Sequence, residues 1–114
     1  MIYHITQQAA WQTAVSQNSP YTAPSLQTEG FIHCSTKAQV LGPANALFHG
    51  QQGLLLLCIN EARVTAVIKY EDCYDHGDQF PHIYGPLNLD AVVTTVPFPP
   101  NADGSFALPP PHPE

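Results

Sequence analysis

The amino-acid sequence predicts a single α+β domain with a split or mixed β-sheet and two main helices. Its 114 residues suit one domain, since domains are commonest at about 100–150 residues. Strand-like segments outnumber helical ones, and both helical segments lie in the first half of the chain. Segregation of this kind is typical of α+β proteins rather than of alternating α/β proteins. We expect the domain to span residues 1–108 and a proline-rich tail to follow over 109–114.

The first helix is predicted over Gln7–Ser16, after a short strand at Ile2–Ile5 that is rich in β-branched and aromatic residues. Thr6 is a suitable N-cap for this helix. Apolar residues recur in it at the i, i+3, i+4 spacing of a buried helix face. The members of this face are Ala10, Trp11, Ala14 and Val15.

The second helix is predicted within Lys37–Phe48, where Gly42-Pro43 interrupts the helical pattern. Proline inside a helix costs about 3 kcal/mol. We therefore expect a first turn near Thr36–Val40 and a new start with Pro43 in the first helical position. Leu47 and Phe48 would supply the buried face.

The segment Leu54–Ile59 is apolar without alternation, which predicts a central strand covered on both faces. The other strands are predicted at Phe31–Cys34, Val64–Tyr70, Phe80–Tyr84 and Ala91–Phe98. Tyr21–Glu29 is interpreted as a polar connection, and Glu71–Gln79 as an exposed loop. Prolines concentrate from Pro97 onward, and this predicts an extended or disordered tail that does not pair in a central sheet.

The charge of the chain argues against polyanionic partners. The net charge is −6, and the positive residues are Lys37, Arg63 and Lys69 alone. Binding to long nucleic acids needs several bases that neutralise phosphates, and attachment to anionic membranes needs a basic cluster. We expect neither. A small ligand with one or two phosphates is compatible with so few bases, since a helix N-terminus also holds phosphate.

The cysteines are Cys34, Cys58 and Cys73, an odd number without a C-x-x-C motif. We expect neither a disulfide framework nor a structural zinc site. The first residues carry no basic and apolar leader, and no apolar run approaches the about 20 residues of a membrane-spanning helix. A cytoplasmic protein is therefore expected. Its oligomeric state is not readable from the sequence.

Three histidines in predicted strands, His4, His33 and His82, indicate the functional site. Strand alternation places His33 and Cys34 on opposite faces, so the pair does not form a thiol nucleophile with its base. The three histidines show neither His-x-His nor His-x₃-His spacing, and we expect no metal site.

Each histidine has a predicted orientation. His4 lies on the face opposite Tyr3 and Ile5, and if those two are core, His4 faces solvent or a concave surface. His82 shares its face with Phe80 and Tyr84.

Hydroxyl groups and carboxylates surround these segments. Ser35 and Thr36 follow His33 at a strand-to-helix junction, where side-chain oxygens and free backbone N–H groups suit an anionic or carboxamide ligand as well as a helix cap. Glu29 and Glu71 are the nearest carboxylates, and surface placement is favoured for both.

These segments resemble a family of small bacterial and plant proteins, domain of unknown function 952. The resemblance covers about residues 1–108. It depends on motifs in the same order along the chain: Tyr3-His4-Ile5-Thr6, Glu29-Gly30-Phe31-Ile32-His33-Cys34-Ser35, Leu56-Leu57-Cys58-Ile59 and Phe80-Pro81-His82-Ile83-Tyr84-Gly85-Pro86-Leu87-Asn88.

That family is distantly similar to the ADP-ribosyltransferase superfamily, which holds NAD in the cleft of a split β-sheet. The resemblance implies that His4 and Thr6 contact a ribose, as the superfamily's His-Gly-Thr strand does. It also implies that the segment 31–36 faces the nicotinamide. The superfamily usually carries a catalytic glutamate on a late strand, where this sequence has His82.

Three functional hypotheses follow. The first is a nucleotide-binding domain for an NAD-like ligand, with NAD itself a candidate cofactor, in which His33, Ser35 and Thr36 face the ligand's polar end and His82 with Tyr84 closes the site. In an enzyme of this kind, His33 and His82 would be catalytic and His82 the acid–base or electrostatic group. The second is a non-catalytic interaction module built on Pro97–Pro100. The third is a histidine-dependent hydrolase or phosphotransferase acting on a small metabolite.

Overall fold

Six strands form two three-stranded antiparallel sheets in the computed structural model, which describes residues 1–72 and 77–109. The first sheet has the order β1-β3-β6 and the second the order β2-β5-β4. The strands are β1 (Ile2–Gln7), β2 (Ile32–His33), β3 (Leu54–Ile59), β4 (Val67–Glu71), β5 (Phe80–Tyr84) and β6 (Val92–Pro97). The α-helices are α1 (Gln8–Ser16), α2 (Ser25–Thr28) and α3 (Leu41–Leu47). All three lie in the first half of the chain, and the α+β prediction is confirmed.

The two sheets meet at a seam between β1 and the residues that follow β2. Tyr3 and Ser35 form an antiparallel bridge in which each backbone N–H donates to the other's carbonyl at 2.8 Å. This bridge gives the continuous order β4-β5-β2-β1-β3-β6. Every strand pair in the described part of the chain is antiparallel, so the sheets are not mixed. The strands are split between two sheets that the Tyr3–Ser35 bridge connects.

Strand β3 occupies the centre of the first sheet, as its unbroken apolar pattern predicts. All six of its residues are buried, and it pairs with β1 on one side and β6 on the other. Leu57 and Ile59 pack on one face in a core that includes Ile32 and Ile83 of the second sheet. Residues of the other face of β3 belong to a second core, where they meet α3 and the chain after β6; they include Leu54, Leu56 and Cys58.

Helix α1 lies within one residue of its predicted range, but its buried face is narrower. Ala14 is buried and Trp11 packs partly against the core, whereas Val15 is 50% exposed. The predicted N-cap, Thr6, instead pairs with Leu55 as part of β1. The strand runs on to Gln7 because β3 offers pairing partners as far as Leu54.

Helix α3 begins two residues before the predicted start at Pro43. Pro43 is the third helical residue, and its missing N–H is tolerated there because the first four N–H groups of a helix have no partner within it. The first turn is confirmed by the hydrogen bond from the Val40 N–H to the Thr36 carbonyl. The predicted burial of Leu47 is wrong: the side chain is 75% exposed, and Ala44 contacts the core instead.

Two further boundaries differ from the prediction. The connection after α1 contains the short helix α2 and a bridge between Tyr21 and Leu87, and a single helical turn leaves no apolar periodicity to detect. Strand β4 begins at Val67, after a 3₁₀ turn over Glu61–Arg63, and continues through Glu71.

Prolines from Pro97 onward stay out of the central strands, as predicted, and residues 97–109 pack against the domain. Pro97 pairs with Leu55 in the edge strand β6, a position that accepts proline. The Phe98 N–H then donates to the Leu54 carbonyl, and the buried rings of Phe98 and Phe106 stack with centroids 4.8 Å apart. Burial of two aromatic rings fixes this segment despite its prolines. Residues 110–114 and Cys73 lie outside the described residues, and the 108/109 boundary stays a prediction.

Within those same described ranges, no helix is long and apolar enough to cross a membrane.

Replacement of Phe106 by alanine tests the packing of the C-terminal segment. We expect Phe106→Ala to lower the free energy of unfolding by about 3–5 kcal/mol, the usual cost of a Phe-to-Ala change in a core. Leu108→Ala, at a side chain 42% exposed, should change it by less than about 0.5 kcal/mol. Urea unfolding followed by fluorescence of Trp11 measures both. Equal, small effects would show that the segment does not belong to the core.

Candidate functional site

Two of the three predicted histidines lie side by side on the outer face of the second sheet. Ile32 pairs with Ile83 and His33 with His82, and the isoleucines are fully buried in the core. Alternation therefore turns both imidazoles to the opposite face, where their ring centroids are 5.4 Å apart. We call this surface the outer histidine face; its residues are Phe31, His33, Lys69, Glu71, His82 and Tyr84.

The His82 ring is buried on this face, with 2% of its surface exposed, and it is fixed by an aromatic neighbour and a carboxylate. Phe31 stacks on it, with centroids 4.1 Å apart and ring planes 20° apart. The His82 Nδ1 lies 3.1 Å from Oε1 of Glu71, and the Tyr84 hydroxyl donates to the same oxygen. The hydrogen bond from Tyr84, and then that from His82, lowers the pKa of Glu71. The carboxylate is thus ionised near neutral pH, and it holds Nδ1 of His82 as a donor.

The His33 ring has a carboxylate of its own. Its Nε2 lies 2.6 Å from Oε2 of Glu29, and both side chains are more than one-third exposed. The chain turns between them at Gly30, whose φ of +88° is in the region that favours glycine. Two imidazole–carboxylate pairs therefore occur on this face, and such pairs are suited to proton transfer near neutral pH.

His4 does not reach this face. It does lie opposite Tyr3 and Ile5, but the prediction that it faces solvent or a concave surface is wrong, because the second sheet and Tyr21 cover that side of β1. Its Nδ1 donates to the His33 carbonyl at 2.5 Å, and its Nε2 is hydrogen-bonded to the Tyr21 hydroxyl at 2.8 Å.

Burial sets the protonation of this inner cluster. The Tyr21 hydroxyl is also hydrogen-bonded to Oγ1 of buried Thr6, at 2.8 Å. Desolvation lowers the pKa of His4 to about 4, so the ring is neutral at pH 7. Desolvation likewise raises the pKa of the Cys34 thiol, and the thiol lies with Tyr21 in the core, apart from the His33 imidazole.

The structure thus divides the predicted site residues into three groups. His33, His82 and Tyr84 lie together on the outer histidine face. His4 and Thr6 surround Tyr21 in the core. Ser35 and Thr36 lie at the seam, where Ser35 is buried and the Thr36 N–H donates to the Gln39 side chain at 3.0 Å. The predicted roles of these residues in binding or catalysis stay predictions.

Glu29 and Glu71 were expected at the surface, and their contacts with His33 and His82 could not be predicted from composition. A signal for Glu71 does exist in the sequence. If β4 and β5 are read as antiparallel neighbours, a carboxylate at the end of β4 comes within reach of the outward residues of β5. A signal for Glu29 is weaker, because its position depends on the turn at Gly30.

A groove of about 440 Å³ lies between α1 and the first sheet. Its lining residues carry no titratable side chain; they are Gln8, Trp11, Gln12, Val15, Ser16, Leu55, Thr95 and Pro97. The outer histidine face is therefore the better candidate for chemistry. Among residues 1–72 and 77–109, no three His, Cys, Asp or Glu side chains are arranged to hold a metal ion.

Comparisons with known proteins identify relatives of unstated function. The model of a family described as "Protein of unknown function (DUF952)" matches residues 5–95. A crystal structure of protein CC0527 from Caulobacter crescentus superposes with a TM-score of 0.83 at 31% identity, covering 93% of this chain and 92% of that chain. A solution NMR structure of the same protein gives a TM-score of 0.79 at 31% identity, covering 92% and 90%. No curated protein matches the chain.

The buried His4 makes stability depend on pH. Its pKa is about 4 in the folded protein and about 6.5 in an unfolded chain, so the unfolded state takes up the proton first. Its contribution is fully present above about pH 6.5 and is lost as pH falls toward 4, by an amount on the order of 3 kcal/mol. We expect the difference in unfolding free energy between the wild type and His4→Gln to shrink over this range. Urea unfolding at pH 7.5 and pH 4.5 measures it, and a constant difference would contradict the assignment.

Proposed function

This chain belongs to the DUF952 family, whose members are described as proteins of unknown function, and we propose a function from its own side chains. We propose that it binds a small nucleotide-like ligand, of the NAD or ADP-ribose class, on the outer histidine face. The observation that carries the proposal is the cross-strand pair of His33 and His82, each hydrogen-bonded to a glutamate.

The chemistry of this face suits such a ligand. Imidazoles bind phosphate and hydroxyl groups, and the His33 ring is more than one-third exposed on this face. Lys69 adds a cation, with its Nζ 4.9 Å from the centroid of the Tyr84 ring. Polar groups set among aromatic side chains are typical of small-molecule sites.

The split sheet supports the narrower proposal of an ADP-ribosyltransferase-like fold, the architecture that the family resemblance implies. Its six strands run in one continuous order across the Tyr3–Ser35 seam. In our proposal, the partly exposed His33 and Tyr84 contact the ligand, and the buried His82 positions Glu71 beneath it. His4 and Thr6 support the seam, because their polar atoms already bond Tyr21 and the His33 carbonyl.

The two imidazole–carboxylate pairs favour a second candidate, a histidine-dependent hydrolase or phosphotransferase. One imidazole would remove a proton from the attacking group and the other would protonate the leaving group. In an enzyme of this type His82 is the acid–base group that Glu71 orients. An interaction module at Pro97–Pro100 is less favoured, because Phe98 is buried and cannot contact a partner.

Titration calorimetry with NAD, ADP-ribose and AMP tests ligand binding. We expect the wild type to bind at least one of them, and His33→Ala to weaken that binding at least about tenfold, equivalent to about 1.4 kcal/mol. His49→Ala, at an exposed histidine outside this face, serves as the control and should bind as the wild type does.

Absence of binding by the wild type to all three compounds would refute the proposal. Turnover of a phosphate ester without NAD or ADP-ribose binding would favour the second candidate instead.

A further inference from the structure

The described contacts of the Glu71 carboxylate all involve one of its two oxygens. The hydrogen bonds from His82 and Tyr84 both end on Oε1. Among residues 1–72 and 77–109, no side chain or backbone group donates a hydrogen bond to Oε2. The Glu71 side chain as a whole is 32% exposed.

An ionised carboxylate accepts hydrogen bonds and cannot donate them. The hydrogen bonds from Tyr84 and His82 that lower the pKa of Glu71 keep it ionised near neutral pH. It therefore repels a phosphate group, which carries the same sign of charge, and attracts an N–H or O–H group. Since Tyr84 and His82 hold the carboxylate in one place, this preference has a fixed position on the face.

We infer that Oε2 of Glu71 accepts a hydrogen bond from the donor end of the ligand and keeps the ligand's phosphates away from this part of the face. The inference rests on the proposed function and gives the bound nucleotide a direction. The phosphates lie on the Lys69 side of Glu71, because this cation is two residues earlier on β4 and is near enough for its charge to help lower the pKa of Glu71. Within the NAD class, the donor is either a ribose hydroxyl or the carboxamide N–H₂, and the two sources share this chemistry.

A cycle of protein and ligand changes tests the contact. ADP-ribose is compared with an analogue that lacks ribose hydroxyls, and NAD with nicotinic acid adenine dinucleotide, whose carboxylate replaces the carboxamide. Each is titrated into the wild type, Glu71→Gln and Glu71→Ala. We expect Glu71→Ala to weaken the donor-bearing ligand at least tenfold. We also expect removal of the donor group from the ligand to reduce the binding affinity far less in Glu71→Ala than in the wild type.

If the smaller loss appears with the ADP-ribose analogue, the donor is a ribose hydroxyl. If it appears with nicotinic acid adenine dinucleotide, the donor is the carboxamide N–H₂. Glu71→Gln keeps an acceptor oxygen without the charge, so it should weaken binding less than Glu71→Ala and should tighten binding of inorganic pyrophosphate. Glu61→Gln is the matched control, because Glu61 also accepts a hydrogen bond from a tyrosine hydroxyl, that of Tyr70 at 2.7 Å, but lies outside this face. It should leave every affinity unchanged, and thermal melts confirm that each variant is folded.

The failures are distinguishable. If the wild type binds but removal of the donor reduces affinity equally in the wild type and Glu71→Ala for both ligand pairs, the Glu71 contact is overturned and the proposed function stands. Unchanged pyrophosphate affinity in Glu71→Gln overturns the exclusion of phosphate. No binding of any nucleotide by the wild type overturns both the contact and the proposed function.

Discussion

The attachment of β1 to the end of β2 is the constraint on which the rest of the structure depends. Two groups of hydrogen bonds make it: the backbone bridge between Tyr3 and Ser35, and the hydrogen bond from the His4 ring to the His33 carbonyl. Each strand pair alone would be a small sheet with one face to cover. Joined at the seam, the sheets share a core of Ile2, Leu57 and Ile83, and a neutral buried histidine is tolerated because both of its nitrogens have partners.

The outer histidine face follows from the register of the second sheet. With Ile32 opposite Ile83, two isoleucines enter the core and the next pair, His33 and His82, faces outward. A slip by one residue would exchange these faces, placing two imidazoles in the apolar core and two isoleucines among the carboxylates of the outer histidine face. The free energy of burying the isoleucines therefore holds the imidazoles together, without any attraction between the histidines themselves. Strand β4 then adds Lys69 opposite His82 and brings Glu71 to the same face.

Sequence periodicity predicted the features that depend on short-range patterns. The unbroken apolar run of β3, the strand containing His82 and the position of α1 all follow from local patterning, and alternation correctly separated His33 from Cys34. Features that depend on distant contacts were not accessible in this way. The burial of His4 depends on Tyr21, seventeen positions away, and Phe106 is held by an aromatic partner that no local period predicts. Glu71 looked like a loop residue because four acids follow Lys69 within ten positions, although β4 continues through it.

Chemical-shift mapping tests most directly whether the outer histidine face is the functional site. In ¹⁵N-labelled protein titrated with ADP-ribose, we expect the largest shifts of backbone and imidazole signals at His33, Glu71, His82 and Tyr84. Residues of α1, including Trp11 and Val15, should stay unchanged. Shifts concentrated along α1 and β6, with none at His33 or His82, would contradict the account and move the site to the uncharged groove.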